Sequence, residues 1–136
     1  MGFWIGMLIA ILVVPVIMII FGKVFMQNAP KKINRLVGYR TAMAMKNQDT
    51  WDFAQKYSGK IMHYAGMLAL IPSVFAFILI PDGTPDSIGN VVIIIEILQI
   101  VLLIACVIAT EMALKNNFRK DGSRCRKSLD DFDQLK

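Results

Sequence analysis

The chain has 136 residues, 56% of them hydrophobic, and a formal net charge of +5 at pH 7. This length and composition predict one membrane domain and exclude a separate soluble domain of ordinary size. The charge does not indicate a nucleic acid partner. Most basic residues lie beside apolar runs, where anionic lipid headgroups are the simpler partner, at about 1 kcal/mol per basic residue.

Three apolar runs are long enough to cross a bilayer, at residues 3–22, 61–80 and 91–113. Each approaches or exceeds the roughly 20 residues that span about 30 Å of hydrocarbon as a helix. The sequence therefore predicts an all-α membrane protein with three transmembrane helices. The spans are expected at about residues 3–25, 57–80 and 90–113, within a membrane domain of residues 1–118 that is followed by a flexible tail, 119–136.

The distribution of basic residues predicts the orientation of these helices. All 15 lysines and arginines lie in residues 23–60 and 115–136, whereas residues 81–90 carry only Asp82 and Asp86. Basic residues next to short spans stay in the cytoplasm. We therefore expect the N-terminus outside, the long first loop and the C-terminus in the cytoplasm, and a multi-pass protein of the bacterial plasma membrane.

Local signals predict where the helices bend and begin. Pro15 lacks an N–H and should bend the first helix near its middle. Asp49 or Thr50 is expected to be the N-cap of the second helix, and Ser87 or Asn90 that of the third. The basic, partly apolar segment 31–37 between the first two helices is of a kind that lies in the headgroup plane.

The predicted spans contain polar residues, among them Glu96, Gln99 and His63. Glu96 lies about 9 Å from the outer end of the third span by the helical rise, where an ionised side chain costs about 2 to 3 kcal/mol or more. Gln99 follows on the same helical face. His63 lies near the cytoplasmic end of the second span, so we expect no contact with Glu96. Glu96 is either a functional residue or a hydrogen-bonding residue that joins helices.

Glu111 lies near the cytoplasmic end of the third helix, where a carboxylate opposes the helix dipole. It needs a compensating cation, and Arg40 is the candidate, because its segment must return to the helix ends at this depth. A guanidinium binds a carboxylate or a lipid phosphate with two parallel hydrogen bonds. Arg40 could thus serve as a structural clamp or as a ligand contact, and both hypotheses remain open.

The sequence shows no enzyme chemistry. No Ser or Cys lies near the single histidine in sequence, and there is no Gly-rich phosphate loop. Cys106 and Cys125 provide neither a disulfide framework nor the spacing of a metal site, so no cofactor or metal is expected. Small residues predict close helix contacts with a second copy or another membrane protein. They are Gly59, Gly66 and Ala69, together with Gly2 and Gly6 of the first helix.

A set of residues in and after the first loop forms a recognisable pattern: Pro30, Asn34, Gly38-Tyr39-Arg40-Thr41, Met45-Lys46-Asn47 and Trp51, followed by Thr110-Glu111, Leu114, Phe118 and Gly122. This pattern resembles that of the SdpI family of bacterial membrane proteins. In that family the pattern lies between the first and second of three spans, so the resemblance implies three spans here. The founding member of that family is longer than this chain. It is an immunity protein against a secreted peptide toxin and also sequesters a repressor at the membrane.

The resemblance also implies a binding site on the cytoplasmic face. Its expected residues are Asn34, Gly38, Tyr39, Arg40, Thr41, Asn47, Trp51 and Glu111. The first functional hypothesis is protection of the cell through binding of a peptide toxin or its membrane target. The alternative is a transporter or a lipid- or solute-binding protein that uses Arg40 and the polar stripe around Glu96.

Overall fold

The structure is a computed structural model, and it describes residues 2–79 and 84–125. Its helices are α1 (Gly2–Asn28), α2 (Gln48–Leu79) and α3 (Pro85–Asn117). All three are long and apolar enough to cross a membrane. This confirms the all-helical, three-span prediction, while the orientation stays a prediction. At 1.5 Å per residue, α2 and α3 are each about 50 Å long, so both exceed the hydrocarbon thickness.

Successive helices of the bundle run in opposite directions. Near one end, Ile11 of α1 shares an apolar cluster with Ala76 of α2 and Val92 of α3. Near the other end, Ala54 of α2 packs with Leu114 of α3. α1 and α2 are therefore antiparallel, as are α2 and α3. The end of α2 and the start of α3 consequently lie at the opposite end of the bundle from the loop between α1 and α2.

Glycines bring α1 and α2 into backbone contact. A Cβ atom on Gly59 would lie 2.7 Å from the backbone nitrogen of Met26 and 2.9 Å from the carbonyl oxygen of Gly22. A Cβ atom on Gly66 would lie 2.9 Å from the nitrogen of Ile19. Such close approach is how small residues join helices in a membrane, where dispersion replaces the hydrophobic effect.

This contact changes the interpretation of the small residues. Gly59 and Gly66 are buried within the chain against α1, and Ala69 is buried as well. Their partner glycine is Gly22, whereas Cβ atoms on Gly2 and Gly6 would meet nothing within 4 Å. The glycines of α2 therefore join helices of one chain, and association with a second copy stays a prediction.

Two predicted helix starts were wrong. α2 begins at Gln48, one residue after Asn47, whose Oδ1 accepts a hydrogen bond from the Thr50 N–H at 2.8 Å. Asn47 is thus the N-cap in place of Asp49 or Thr50. α3 begins at Pro85, with Thr84 before it, instead of at Ser87 or Asn90. Proline suits the first helical position, because its missing N–H is not needed there.

Substituting Gly59 should therefore weaken the bundle. We expect Gly59→Ala to lower the free energy of unfolding by about 1 to 3 kcal/mol, because backbone atoms of α1 must move to admit the methyl group. The measurement is reversible unfolding in mixed detergent micelles, followed by circular dichroism. Gly6→Ala is the control and should be neutral or slightly stabilising, since its methyl group meets open space and alanine favours a helix. Equal effects of the two variants would contradict the close contact.

Candidate functional site

The residues that carry the family resemblance gather at one end of the bundle. Residues 29–47 and 118–125 pack there against the first turns of α2 and the last turns of α3, and together they form what we call the loop layer. The sequence predicted this grouping for the first loop. The sequence analysis placed residues 119–136 in a flexible tail. Of these, residues 126–136 lie outside the described residues.

Gln55 fixes the middle of the first loop. Its side chain is fully buried. Its Oε1 accepts a hydrogen bond from the Tyr39 N–H at 2.8 Å, and its Nε2 donates to the Tyr39 carbonyl at 2.7 Å. The amide thus satisfies both backbone groups of one residue, as a neighbouring strand would. Gly38, which precedes Tyr39, has a φ of 105°. A Cβ atom at this position would also clash with Gln55 Oε1, so glycine is required.

With its backbone held in this way, Tyr39 extends its side chain to α3. The phenol donates a hydrogen bond to Glu111 Oε1 at 2.8 Å and approaches the Val107 carbonyl at 3.2 Å. Burial raises the pKa of the Tyr39 phenol well above its usual value, and the hydrogen bond and charge of Glu111 raise it further. The phenol therefore stays protonated and remains a donor at physiological pH.

The predicted partnership between Arg40 and Glu111 is wrong. Tyr39 is the donor to Glu111, while Arg40 is exposed and donates from Nη1 to the Arg35 carbonyl. No ion pair joins Arg40 to Glu111 within the described residues. The physical reason is that Gln55 sets the direction of the loop backbone at residue 39, so adjacent side chains point to different sides.

Asn34 and Thr41 shape the loop on either side of Tyr39. Asn34 Oδ1 accepts hydrogen bonds from the N–H groups of Leu36 and Val37 at 3.0 and 2.8 Å, which closes a turn. Thr41 Oγ1 accepts from the Ala44 N–H at 3.3 Å. Asn and Thr commonly organise turns in this way. Both residues are therefore part of the loop framework.

Asn47 and Trp51 connect the loop to α2. The Asn47 N–H donates to Thr50 Oγ1 at 3.1 Å, which makes the N-cap reciprocal, and Asn47 Nδ2 donates to the Gly122 carbonyl at 2.7 Å. Trp51 is fully buried, and its indole N–H donates to the Pro30 carbonyl at 2.7 Å. Buried polar groups need such partners, so both side chains serve the fold directly.

Residues 118–125 form a turn, and the predicted flexible tail stays a prediction. Phe118 and Arg124 pair as an isolated bridge, and the Cys125 N–H donates to the Asn117 carbonyl at 2.8 Å. Arg124 forms two parallel hydrogen bonds with Asp49, at 2.7 and 2.8 Å, and lies over the Phe118 ring. This paired geometry gives a surface ion pair more specificity than a single contact.

The sequence analysis missed Gln55 and the pairing of Asp49 with Arg124. Gln55 follows Trp51 by four residues and thus shares its helical face. Burial of the helical face around Trp51 was therefore the available signal that Gln55 is buried too. No local signal indicated the Asp49 and Arg124 pair, because the two residues are 75 positions apart.

Inside the bundle, Gln99 joins all three helices. Its Nε2 donates to the Ile11 carbonyl of α1 and to Ser73 Oγ of α2, both at 3.0 Å. Pro15 explains the first bond, since residue 15 has no N–H to give to the Ile11 carbonyl four residues earlier. The Gln99 Oε1 atom is buried and has no partner among the described residues. Gln99 thus donates the hydrogen bond that Pro15 cannot give to the Ile11 carbonyl.

The other two polar residues of the spans have different surroundings. His63 Nδ1 lies 3.0 Å from the Ile19 carbonyl, so it joins α2 to α1. Glu96 is half-buried, and no hydrogen bond or ion pair to it is found in the ranges 2–79 and 84–125. No group of three or more His, Cys, Asp or Glu residues in these ranges could hold a metal ion. The role of Glu96 stays a hypothesis.

By its fold, the molecule is a multi-pass membrane protein with three spans and an ordered loop layer at one end. The family model of the SdpI/YfhL protein family matches residues 31–110. The uncharacterized protein YfhL of Bacillus subtilis (strain 168) is 33% identical over 103 residues, which are 76% of this chain and 80% of that protein. The chain belongs to the SdpI/YfhL family, as predicted. No solved structure matches it.

Removal of the Tyr39 hydroxyl should loosen the loop layer. We expect Tyr39→Phe to lower the free energy of unfolding by about 1 kcal/mol, because Glu111 loses its donor while the ring remains. The measurement is detergent unfolding, combined with amide hydrogen exchange of residues 34–46. Tyr57→Phe is the control, since the Tyr57 ring stacks on Phe53 and its hydroxyl has no hydrogen bond in the described part of the chain. Similar losses in both variants would contradict the assignment.

A double-mutant cycle tests the role of Gln99. Gln99→Met should lower the free energy of unfolding by about 1 to 2 kcal/mol, because the Ile11 carbonyl loses its donor. In a Pro15→Ala background, residue 15 regains an N–H for that carbonyl, so the same change should cost about 1 kcal/mol less. A Pro72→Ala background is the control and should show no coupling. Equal coupling in the two backgrounds would disprove the explanation.

Proposed function

We propose that this protein is an immunity protein of the bacterial plasma membrane. It protects the cell by binding a peptide toxin, or the membrane target of that toxin, at the loop layer, which faces the cytoplasm. Family membership supports the proposal, because the sequence resembles a family whose founding member has this role. The orientation is supported by the basic residues of the two stretches that build the loop layer.

The observation that carries the proposal is the different position of Arg40 within the motif. The neighbouring motif side chains are engaged inside the protein: Tyr39 with Glu111, Asn47 with Gly122 and Trp51 with Pro30. Arg40 is exposed, and within residues 2–79 and 84–125 its only hydrogen bond runs from Nη1 to the Arg35 carbonyl. Most of its five N–H donors therefore have no partner among the described residues.

The geometry of Arg40 supports a particular class of ligand. A guanidinium with a free edge binds a carboxylate or a phosphate through two parallel hydrogen bonds, and a rigid support lowers the cost of ordering it. The loop layer supplies that support through the Gln55 contacts with residue 39. The ligand group is thus an acidic side chain or C-terminus of a peptide, or the headgroup of the lipid that a toxin attacks.

The alternative, transport along Glu96 and Gln99, has less support. The Gln99 amide nitrogen is committed to Ile11 and Ser73. The cavity beside Gln99 is lined mainly by aliphatic side chains, including Leu68, Leu98 and Leu102. A polar solute entering there would lose its hydration without gaining partners.

Complementation of a deletion strain tests the proposal. Cells without the gene, challenged with a panel of membrane-active antimicrobial peptides, should be sensitive to at least one of them, and the wild-type gene should restore resistance. We expect Arg40→Gln to raise sensitivity by about tenfold or more, since a charged hydrogen bond contributes about 1.5 to 3 kcal/mol. The readout is the minimal inhibitory concentration, with protein levels checked by immunoblot.

Lys32→Gln is the matched control, because it removes the same charge from the same loop while its side chain is exposed. It should leave resistance within about twofold, because a screened surface charge contributes little. If the deletion strain survives the entire panel as the parent does, the immunity proposal is wrong. If both variants fail equally, the role assigned to Arg40 is wrong.

A further inference from the structure

A polar cavity of about 370 Å³ lies where the chain leaves α1 and passes over α2. Residues 26–31, from the end of α1 and the start of the first loop, form one side of it. Asp52 and Lys56, in the first turns of α2, form the other side. Arg40 is not among the lining residues, so this cavity is distinct from the site of the proposed function.

Two side chains of α2 hold the loop at the edge of this cavity. The Trp51 indole N–H donates to the Pro30 carbonyl at 2.7 Å, and Gln48 Nε2 donates to the Lys31 carbonyl. Trp51 is fully buried, so its position is fixed by the packing around it. Residues 30 and 31 are therefore held against α2, and the cavity is formed before a ligand arrives. Such preorganisation lowers the cost of binding.

Two of the lining residues carry positive charges that the chain leaves without a partner. Lys31 and Lys56 are both exposed, and neither ammonium group has an ion pair or a hydrogen bond in the part of the chain that the structure describes. Asp52 is the acidic residue of the lining, and its Oδ1 accepts a hydrogen bond from Gln48 Nε2 at 2.8 Å. Positive charge therefore prevails around the cavity.

This charge and the polar lining select an anion. A metal cation would be repelled by both lysines. A lysine ammonium has three donors on a flexible stem and is a common ligand of phosphate. The volume of about 370 Å³ is about ten times that of a water molecule, which is enough for a phosphate and part of the group esterified to it.

The level of the cavity along α1 indicates which phosphate compound is at hand. The apolar run of α1 ends at Gly22, and Met26–Asn28 lie about 6 to 9 Å further along the helix at 1.5 Å per residue. The headgroup layer of a bilayer extends roughly 5 to 8 Å beyond the hydrocarbon on each side. Phe21 and Val24, in the turn before the cavity, are exposed apolar residues. The cavity therefore lies at the level of lipid phosphates.

We propose that this cavity binds the phosphate group of an anionic phospholipid, with Lys31 and Lys56 as its cationic ligands. The carboxylate of Asp52 lowers the affinity, because it repels the phosphate. The proposal does not depend on the immunity function, since it uses other residues and requires no toxin. Bound lipid would attach the start of the loop layer to the surface of the membrane.

Lipid retention measured by native mass spectrometry tests the proposal. The purified full chain in detergent micelles is mixed with phosphatidylglycerol or with phosphatidylcholine of the same acyl chains. The fraction of protein that retains one lipid is followed as a function of lipid concentration, and the wild type should retain phosphatidylglycerol preferentially. Lys31→Gln combined with Lys56→Gln should weaken phosphatidylglycerol binding by about tenfold. Circular dichroism checks that the variant is folded.

Lys32→Gln combined with Lys60→Gln is the matched control, because it removes the same charge from the same loop and helix. Both residues are exposed and neither lines the cavity, so binding should change by less than about twofold. Asp52→Asn keeps an acceptor for Gln48 and removes the negative charge, so it should strengthen binding by about threefold. Equal losses in the two lysine pairs, or equal retention of the two lipids by the wild type, would overturn the proposal.

A second measurement separates a lipid headgroup from a free phosphate. Inorganic phosphate, added in large excess over the lipid, should displace no more phosphatidylglycerol than sodium chloride of the same ionic strength, because both salts screen charges alike. If inorganic phosphate displaces the lipid from the wild type and sodium chloride does not, the cavity is a site for free phosphate and its assignment to a phospholipid is wrong.

Discussion

The structure of the loop layer depends on one pair of hydrogen bonds, those between the side chain of Gln55 and the backbone of Tyr39. A loop folded against the end of a bundle must satisfy its backbone groups without a neighbouring strand. The primary amide of glutamine provides one donor and one acceptor, which match the two groups of a single residue. This match explains why Gly38 must be a glycine and why the Tyr39 phenol can reach Glu111.

The three helices are held by two different kinds of interaction. α1 and α2 meet through glycines at backbone distance, which gives a rigid helical hairpin. α3 joins them through the apolar clusters near both ends. It is also held by polar contacts at two levels: Gln99 within the bundle, and the loop layer, where Tyr39 meets Glu111 and Arg124 meets Asp49. A cavity of about 200 Å³ between Met62 of α2 and Leu103 of α3 lies in the interval between these two levels.

Sequence patterns predicted those features that depend on one segment at a time. The lengths of the apolar runs gave three helices, and the motif around residues 30–51 gave the family. The partner of Glu111 was not predictable in this way. Whether Tyr39 or Arg40 contacts Glu111 depends on the direction of the loop backbone. Gln55 determines that direction from 16 residues away. The turn at 118–125 likewise depends on distant residues, among them Asn47 and Asp49.

The residues of the family motif mainly stabilise the fold of the loop layer. Gly38 has a positive φ, Asn47 caps α2 and Trp51 is buried against Pro30. The spacing of these residues follows from the path of the chain and would be needed whatever the protein binds. Arg40 is different, because its guanidinium is exposed and its single internal bond leaves most donors free within the described residues. A shared motif therefore supports a shared framework, and an argument about ligands has to start from Arg40.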